Sequence, residues 1–133
     1  MFVLDTNILV RFAVNDDAKQ ITQARRAIGT QAMWVSVTVL LELEWVLRSR
    51  YGYERKDIHT LLTQLLETTK VSVEDEAPVA TALDWYAEGS DFADALLLAR
   101  TQSRGVMLTF DASCCKPAQR AGGKIKVLRT VPK

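Results

Sequence analysis

The chain begins with four apolar residues that run straight into a carboxylate, MFVLD (1–5), the pattern of a short strand buried on both faces. Thr6 and Asn7 read as a turn, and residues 8–13 predict one short helix. Asp16 or Asp17 caps a second helix that runs to about Ile28, where Gly29 and Thr30 break the pattern. AMWV (32–35) predicts the second strand. Ser36 then caps a long helix, SVTVLLELEWVLRSRYG, with Gly52 as its stop. Residues 54–67 repeat helical spacing through Ile58, Leu61, Leu62, Leu65 and Leu66. VSV (71–73) predicts a short strand, followed by a helix from about Asp75 to Ala87. After Gly89, DFADALLLARTQSRG predicts a helix capped by Ser90 or Asp91 and stopped by Gly105. VMLTF (106–110) is the clearest late strand and again ends on an aspartate, Asp111; IKVL (125–128) predicts one more edge strand in a polar tail. Strands alternating with helices indicate an α/β layer fold with a mostly parallel sheet.

Length and composition narrow this further. The 133 residues are the size of one domain, 1–133, with 48% apolar and 25% charged residues, an ordinary globular balance and not a disordered one. Seventeen Lys and Arg against sixteen Asp and Glu leave a net charge of +1, which neither demands nor forbids a nucleic-acid partner, because a local basic patch coexists with neutrality. No leader pattern or long apolar run is present, so the expectation is a cytoplasmic chain that is neither secreted nor membrane-spanning. Cys114 and Cys115 are adjacent and His59 is the one histidine. A Cys/His zinc cluster is thereby excluded, and a metal would be held by oxygen. The two cysteines read as small, partly buried thiols.

Four acidic residues are oddly placed for solvated charge. Ligand sites in open parallel sheets gather at the carboxyl ends of strands, where Asp5 and Asp111 each close a buried-type strand and where the helix carrying Asp91 and Asp94 begins. Asp91 and Asp94 share one helix face at i, i+3, with Ala95 and Leu98 beside them. Asp91 reads equally as a plain N-cap, and Asp94 as a first-turn acid favoured by the helix dipole. In the long helix, Glu44 has Arg48 at i+4, the order for a surface ion pair. Glu42 has no basic neighbour at helical spacing and sits among Thr38, Val39, Trp45 and Val46, a costly setting unless a cation or donors from elsewhere meet it. Clustered carboxylates share protons or hold a cation. Oxygen donors suit Mg2+ or Mn2+, and such an ion supports phosphoester hydrolysis.

At these residues the chain resembles the PIN-domain ribonucleases, most closely the VapC-type toxins of toxin–antitoxin pairs. The matching stretches are VLDTNIL (3–9), VLLELEWVLR (39–48), DFADAL (91–96) and LTFD (108–111). Each motif is short, but the four occur in order across nearly the whole chain. The resemblance implies a PIN-like three-layer sandwich. It also implies a Mg2+- or Mn2+-dependent endoribonuclease that hydrolyses RNA phosphodiesters with a metal-activated water. Asp5, Glu42, Asp94 and Asp111 are then the catalytic acids. Asp5 and Asp94 are the chief metal ligands, and Glu42 and Asp111 complete the pocket. Thr6, Asn7, Asp91 and Thr109 become supporting residues. A cognate antitoxin covering the acidic pocket is implied as partner. The stretch after LTFD, ASCCKPAQRAGG, departs from the family's more charged pattern.

Arg11, Lys116 and Arg120, with Lys124 and Lys126, are candidates for RNA phosphate contacts. His59 reads as a surface residue, and Trp34, Trp45 and Trp85 as core or interface anchors in preference to base-stacking platforms. The 36–47 helix is apolar nearly all round, which predicts a homodimer through the 36–51 region. Three alternatives stand beside the toxin reading. They are an RNA-processing PIN nuclease, a non-catalytic RNA- or protein-binding module, and a haloacid-dehalogenase-type phosphatase. The last needs a second aspartate where this chain has Asn7.

Overall fold

Local chemistry sets where each helix starts. Asp17 accepts a hydrogen bond from the Gln20 N–H at 3.0 Å, Ser36 from Val39 at 3.2 Å and Asp91 from Asp94 at 3.0 Å. Each satisfies a donor that the first helical turn leaves open. The cap of the second helix is therefore Asp17 and not Asp16, and that of the late helix Asp91 and not Ser90. The computed structural model describes residues 1–129, which divide into two compact units, Met1–Glu76 and a second that begins at Ala77.

In the first unit the order is β1 (Phe2–Val3), α1 (Thr6–Val14), α2 (Ala18–Ile28), β2 (Met33–Val35), α3 (Val37–Ser49), α4 (Arg55–Glu67) and β3 (Val71–Val73). The three strands form one parallel sheet in the order β1-β2-β3, with Val3 opposite Trp34 and Trp34 opposite Ser72. Parallel neighbours need long crossovers, and the helix pairs α1–α2 and α3–α4 supply them. The inward stripe of α3 is Leu40, Leu43, Glu44 and Leu47, and it packs into a core that includes Val35, Ile58 and Leu62.

In the second unit, α5 (Glu76–Ala87, whose first residue closes the first unit) and α6 (Phe92–Thr101) are followed by β4 (Met107–Thr109), α7 (Lys116–Arg120) and β5 (Ile125–Val127). Val79, Leu83, Phe92, Leu96 and Leu98 are buried. The Tyr86 and Phe92 rings meet edge to face with centroids 5.2 Å apart. β4 and β5 pair in parallel. Gly123 passes so close to α7 that a Cβ there would lie 2.8 Å from the Ala118 carbonyl oxygen.

The α/β class and parallel pairing are as the pattern predicts, with two differences. Neither aspartate-ended strand is buried on both faces. Phe2 and Val3 are 38% and 71% exposed, and Leu108 and Phe110 are 61% and 68% exposed. The reason is that, among the described residues, β1 and β4 each have one strand partner, β2 and β5 respectively. The other difference is α7, which forms where only a polar tail is expected and carries Pro117 in its first turn, where the residue's fixed φ suits a helix. No helix among the described residues is long and apolar enough to cross a membrane.

Candidate functional site

In the first unit, the backbone leaves the sheet immediately after Leu4, whose N–H donates to the Trp34 carbonyl at 2.9 Å. The next residue, Asp5, is the N-cap of α1 and accepts from the Thr6 N–H at 2.7 Å through Oδ1. The Thr6 side chain is buried, and its hydroxyl donates to Glu42 Oε2 at 3.0 Å. This bond joins the start of α1 to the middle of α3. Asp5 and Glu42 border one open groove of about 470 Å3 between those helices, together with Asn7, Val10 and Arg11 from α1 and Trp45, Val46, Arg50 and Tyr51 from α3 and the turn after it.

The two glutamates of α3 exchange the environments expected of them. Glu42 is exposed, while Glu44 is 6% exposed and accepts from Arg48 Nε at 2.8 Å. Helical period explains this: Glu44 lies between Leu40 and Leu47 on the inward stripe, whereas Glu42 is two residues off it. Arg11 is paired with Asp16 at 2.9 Å. The hydrogen bond and charge of Asp16 raise its guanidinium above its ordinary value, with a smaller contribution from Tyr51. Trp45 is 51% exposed and so is not a core anchor; the Arg50 guanidinium lies 5.7 Å from its ring centroid.

In the second unit, ligand atoms of Asp94, Asp111 and Cys114 all lie within 4.8 Å of one another. Partial burial raises the Asp94 carboxyl above its ordinary value, and the negative charges of Asp91 and Asp111 raise it further. Asp111 is lowered, chiefly by the Ser113 hydroxyl and then by backbone donors. Its Oδ1 accepts from Ser113 N at 2.9 Å and from Ser113 Oγ at 2.7 Å. Thr109 Oγ1 accepts from the Asp111 N–H at 3.0 Å, so Thr109 supports the acid's backbone. Burial pushes the Cys115 thiol well up, with Cys114, Asp94 and Asp111 adding to it. Both cysteines are free. Lys116 and Arg120 are exposed at the two ends of α7.

The PIN domain family model matches residues 2–119. The chain belongs to the PIN domain family. No match to a curated protein was found. Among solved structures, the PIN chain is similar to VapC20 of Mycobacterium tuberculosis, described as a Sarcin-Ricin loop cleaving toxin. That similarity is 21% sequence identity, 98% coverage of this chain, 100% coverage of that one and a TM-score of 0.43.

The structure thus brings together Asp5, Thr6 and Glu42 in one unit and Asp94 and Asp111 in the other. It also brings to these sites residues that the sequence reading had left outside them. Cys114 widens the oxygen-only donor set, because the Asp111–Ser113 turn folds the chain back so that a side chain three positions on lies beside the carboxylates. Trp45 and Arg50 share the groove with Glu42 because i+3 and i+8 fall on one helix face. That signal was available in the spacing.

Proposed function

We propose that this PIN-domain chain is a Mg2+- or Mn2+-dependent endoribonuclease and acts as the toxin of a toxin–antitoxin pair. The observation that carries it is the group of Asp94, Asp111 and Cys114. Partial burial and then the like charges of Asp91 and Asp111 raise the Asp94 carboxyl there, and a divalent cation relieves that cost. Two carboxylates fit a hard cation that keeps waters for its other positions. A thiol at the same distance is a spectator to Mg2+ and a better match to a softer ion. When bound, the cation supplies Lewis-acid polarisation of the phosphate and eases ionisation of water.

This chain's own residues do the rest. Ser113 and Thr109 hold Asp111 ionised and in register, and Asp91 holds the first turn of α6 under Asp94. Asp5 and Glu42 are the acids of the first unit on which cleavage depends, with Thr6 fixing Glu42 and Asn7 beside them on the groove. Hydrolysis leaves a 3′-hydroxyl and a 5′-phosphate. The order of the four motifs supports the toxin role, with a cognate antitoxin as the partner that covers the acidic residues. The homodimer expected through the 36–51 region would compete for the same exposed face, which carries Trp45 and Tyr51, and native mass distinguishes it.

The test is cleavage of end-labelled single-stranded RNA by the wild type, Asp5→Asn and Asp94→Asn, each in Mg2+, Mn2+ or chelator. The wild type should cut only with metal. Each variant should lose more than the roughly 10–100-fold that typifies residues outside the ligand shell. Asp5→Asn protein cutting at the wild-type rate overturns the assignment. Mapping the new RNA ends after expression of wild type and Asp5→Asn identifies the target.

A further inference from the structure

The groove of the first unit is polar in a way that the acidic residues alone do not require. α1 and α3 lie alongside one another so that Thr6 meets Glu42, while farther on Arg11 senses Tyr51. One end of the groove therefore carries Asp5 and Glu42, and the other Arg11, Arg50 and Tyr51. Helical rise puts about 7–8 Å between residues 6 and 11 of α1, and about 12 Å between residues 42 and 50 of α3. Trp45 stands between the two ends. Its indole is half exposed despite its size, and Arg50 lies over the ring at 5.7 Å.

An exposed indole with a guanidinium over it costs solvent-exposed apolar area and is not explained by packing, since the inward stripe of α3 is already complete. Its chemistry matches an unpaired nucleotide. A base stacks on an aromatic face whatever its identity, and a guanidinium beside it meets the phosphate. A duplex cannot use such a platform, because its bases are already stacked on one another. The graded charge gives a direction as well. On the ribonuclease reading, the phosphate to be cut belongs at the end that carries Asp5 and Glu42, and the flanking phosphate at the arginines.

We propose that Trp45 and Arg50 form a single-strand subsite, in which the base next to the cleaved bond stacks on the Trp45 indole and its phosphate pairs with Arg50. This deepens the ribonuclease reading and rests on it for the position of the cleaved bond. It makes the enzyme selective for looped or unpaired RNA independently of base identity at that position. Arg11 is a weaker contributor because Asp16 already holds it.

Binding of fluorescein-labelled oligoadenylate, measured by anisotropy in chelator so that nothing is cut, separates the subsite from catalysis. Trp45→Ala should weaken binding about tenfold, from a stacking contribution on the order of 1–3 kcal/mol per base, and Trp45→Phe should recover most of it. Arg50→Gln should weaken binding and flatten the log–log salt dependence by about 0.7. An RNA duplex of the same sequence should show no difference between wild type and Trp45→Ala. In Mg2+, Trp45→Ala should raise KM and leave kcat close to wild type. Trp45 is exposed, so far-UV circular dichroism should show both variants folded.

Unchanged oligoadenylate affinity in both Trp45→Ala and Arg50→Gln overturns the subsite while leaving the nuclease reading intact. Trp45-dependent binding without any cleavage in Mg2+ supports the subsite and sinks the nuclease reading. If Trp45→Ala instead shifts the native mass from dimer to monomer with RNA affinity unchanged, the face is a protein interface and the proposal fails. Absence of RNA binding by the wild type defeats it as well.

Discussion

Replacing Thr6 with Val tests whether the bond between α1 and α3 is what positions Glu42. The substitution keeps the β-branch and nearly the same volume at a site only 8% exposed, and it removes the hydroxyl that donates to Glu42 Oε2 at 3.0 Å. A hydrogen bond to a charged acceptor contributes about 1.5–3 kcal/mol when both groups are dry. Glu42 is exposed, so water replaces part of the loss and the cost falls to about 1 kcal/mol. With an unfolding entropy of about 2.1 cal/mol/K per residue, this 133-residue chain should lose roughly 3–4 °C in Tm. Thermal unfolding followed by circular dichroism measures it, with Thr6→Ser as the control that keeps the donor. In a Glu42→Ala background the same Thr6→Val change should cost almost nothing, since the partner is gone. Cleavage by Thr6→Val should drop by about tenfold, in the range of residues that orient a functional carboxylate. A Tm loss of equal size in both backgrounds refutes the reasoning and reduces Thr6 to packing.

Four further outcomes follow from the second unit. Asp94 has a folded pKa raised above the ordinary carboxylate value of 3.8, by partial burial and then by the charges of Asp91 and Asp111. The metal-free wild type therefore loses stability as pH rises from about that value through the folded pKa, whereas Asp94→Asn does not. Denaturant melts at acidic and neutral pH should show the variant gaining on wild type only toward neutral pH, and a constant difference would count against it. Mn2+ should raise the wild-type Tm and should fail to do so in Asp94→Asn or Asp111→Asn, read by calorimetry with and without chelator. Gly123→Ala drives a Cβ to 2.8 Å from the Ala118 carbonyl and should cost about 1–3 kcal/mol in urea unfolding. Iodoacetamide should label Cys114 in the native protein and spare Cys115, which is buried with its thiol pKa pushed up; mass spectrometry of the peptide 114–116 distinguishes them.

Much of the fold is legible in the sequence because its punctuation is local. Ser36, Gly29 and the run VSV sit where the structure uses them. What failed did so for physical reasons that differ from case to case. An apolar run such as MFVL looks the same whether a strand has one neighbour or two, so the exposure of Phe2 and Val3 could not be read from it. Five residues of α7 are too few to show a period. The reversal of Glu42 and Glu44 is of another kind. Their immediate neighbours suggested that Glu42 was enclosed, yet the 40, 43, 44, 47 spacing already placed Glu44 on the buried stripe. Cys114 was invisible for a further reason, since nothing in DASCC reports that Ser113 bends the chain back onto Asp111.

Asp5 carries one more implication. Its Oδ1 starts α1 by accepting the Thr6 N–H, a duty that asparagine performs about as well as aspartate. Exchange of the remaining oxygen for an amide therefore removes a charge without disturbing the helix. On the ribonuclease reading, folding and cutting are therefore separable at this position by a few atoms. One exchange of oxygen for nitrogen would then leave a folded protein that still grips its target but no longer cuts it.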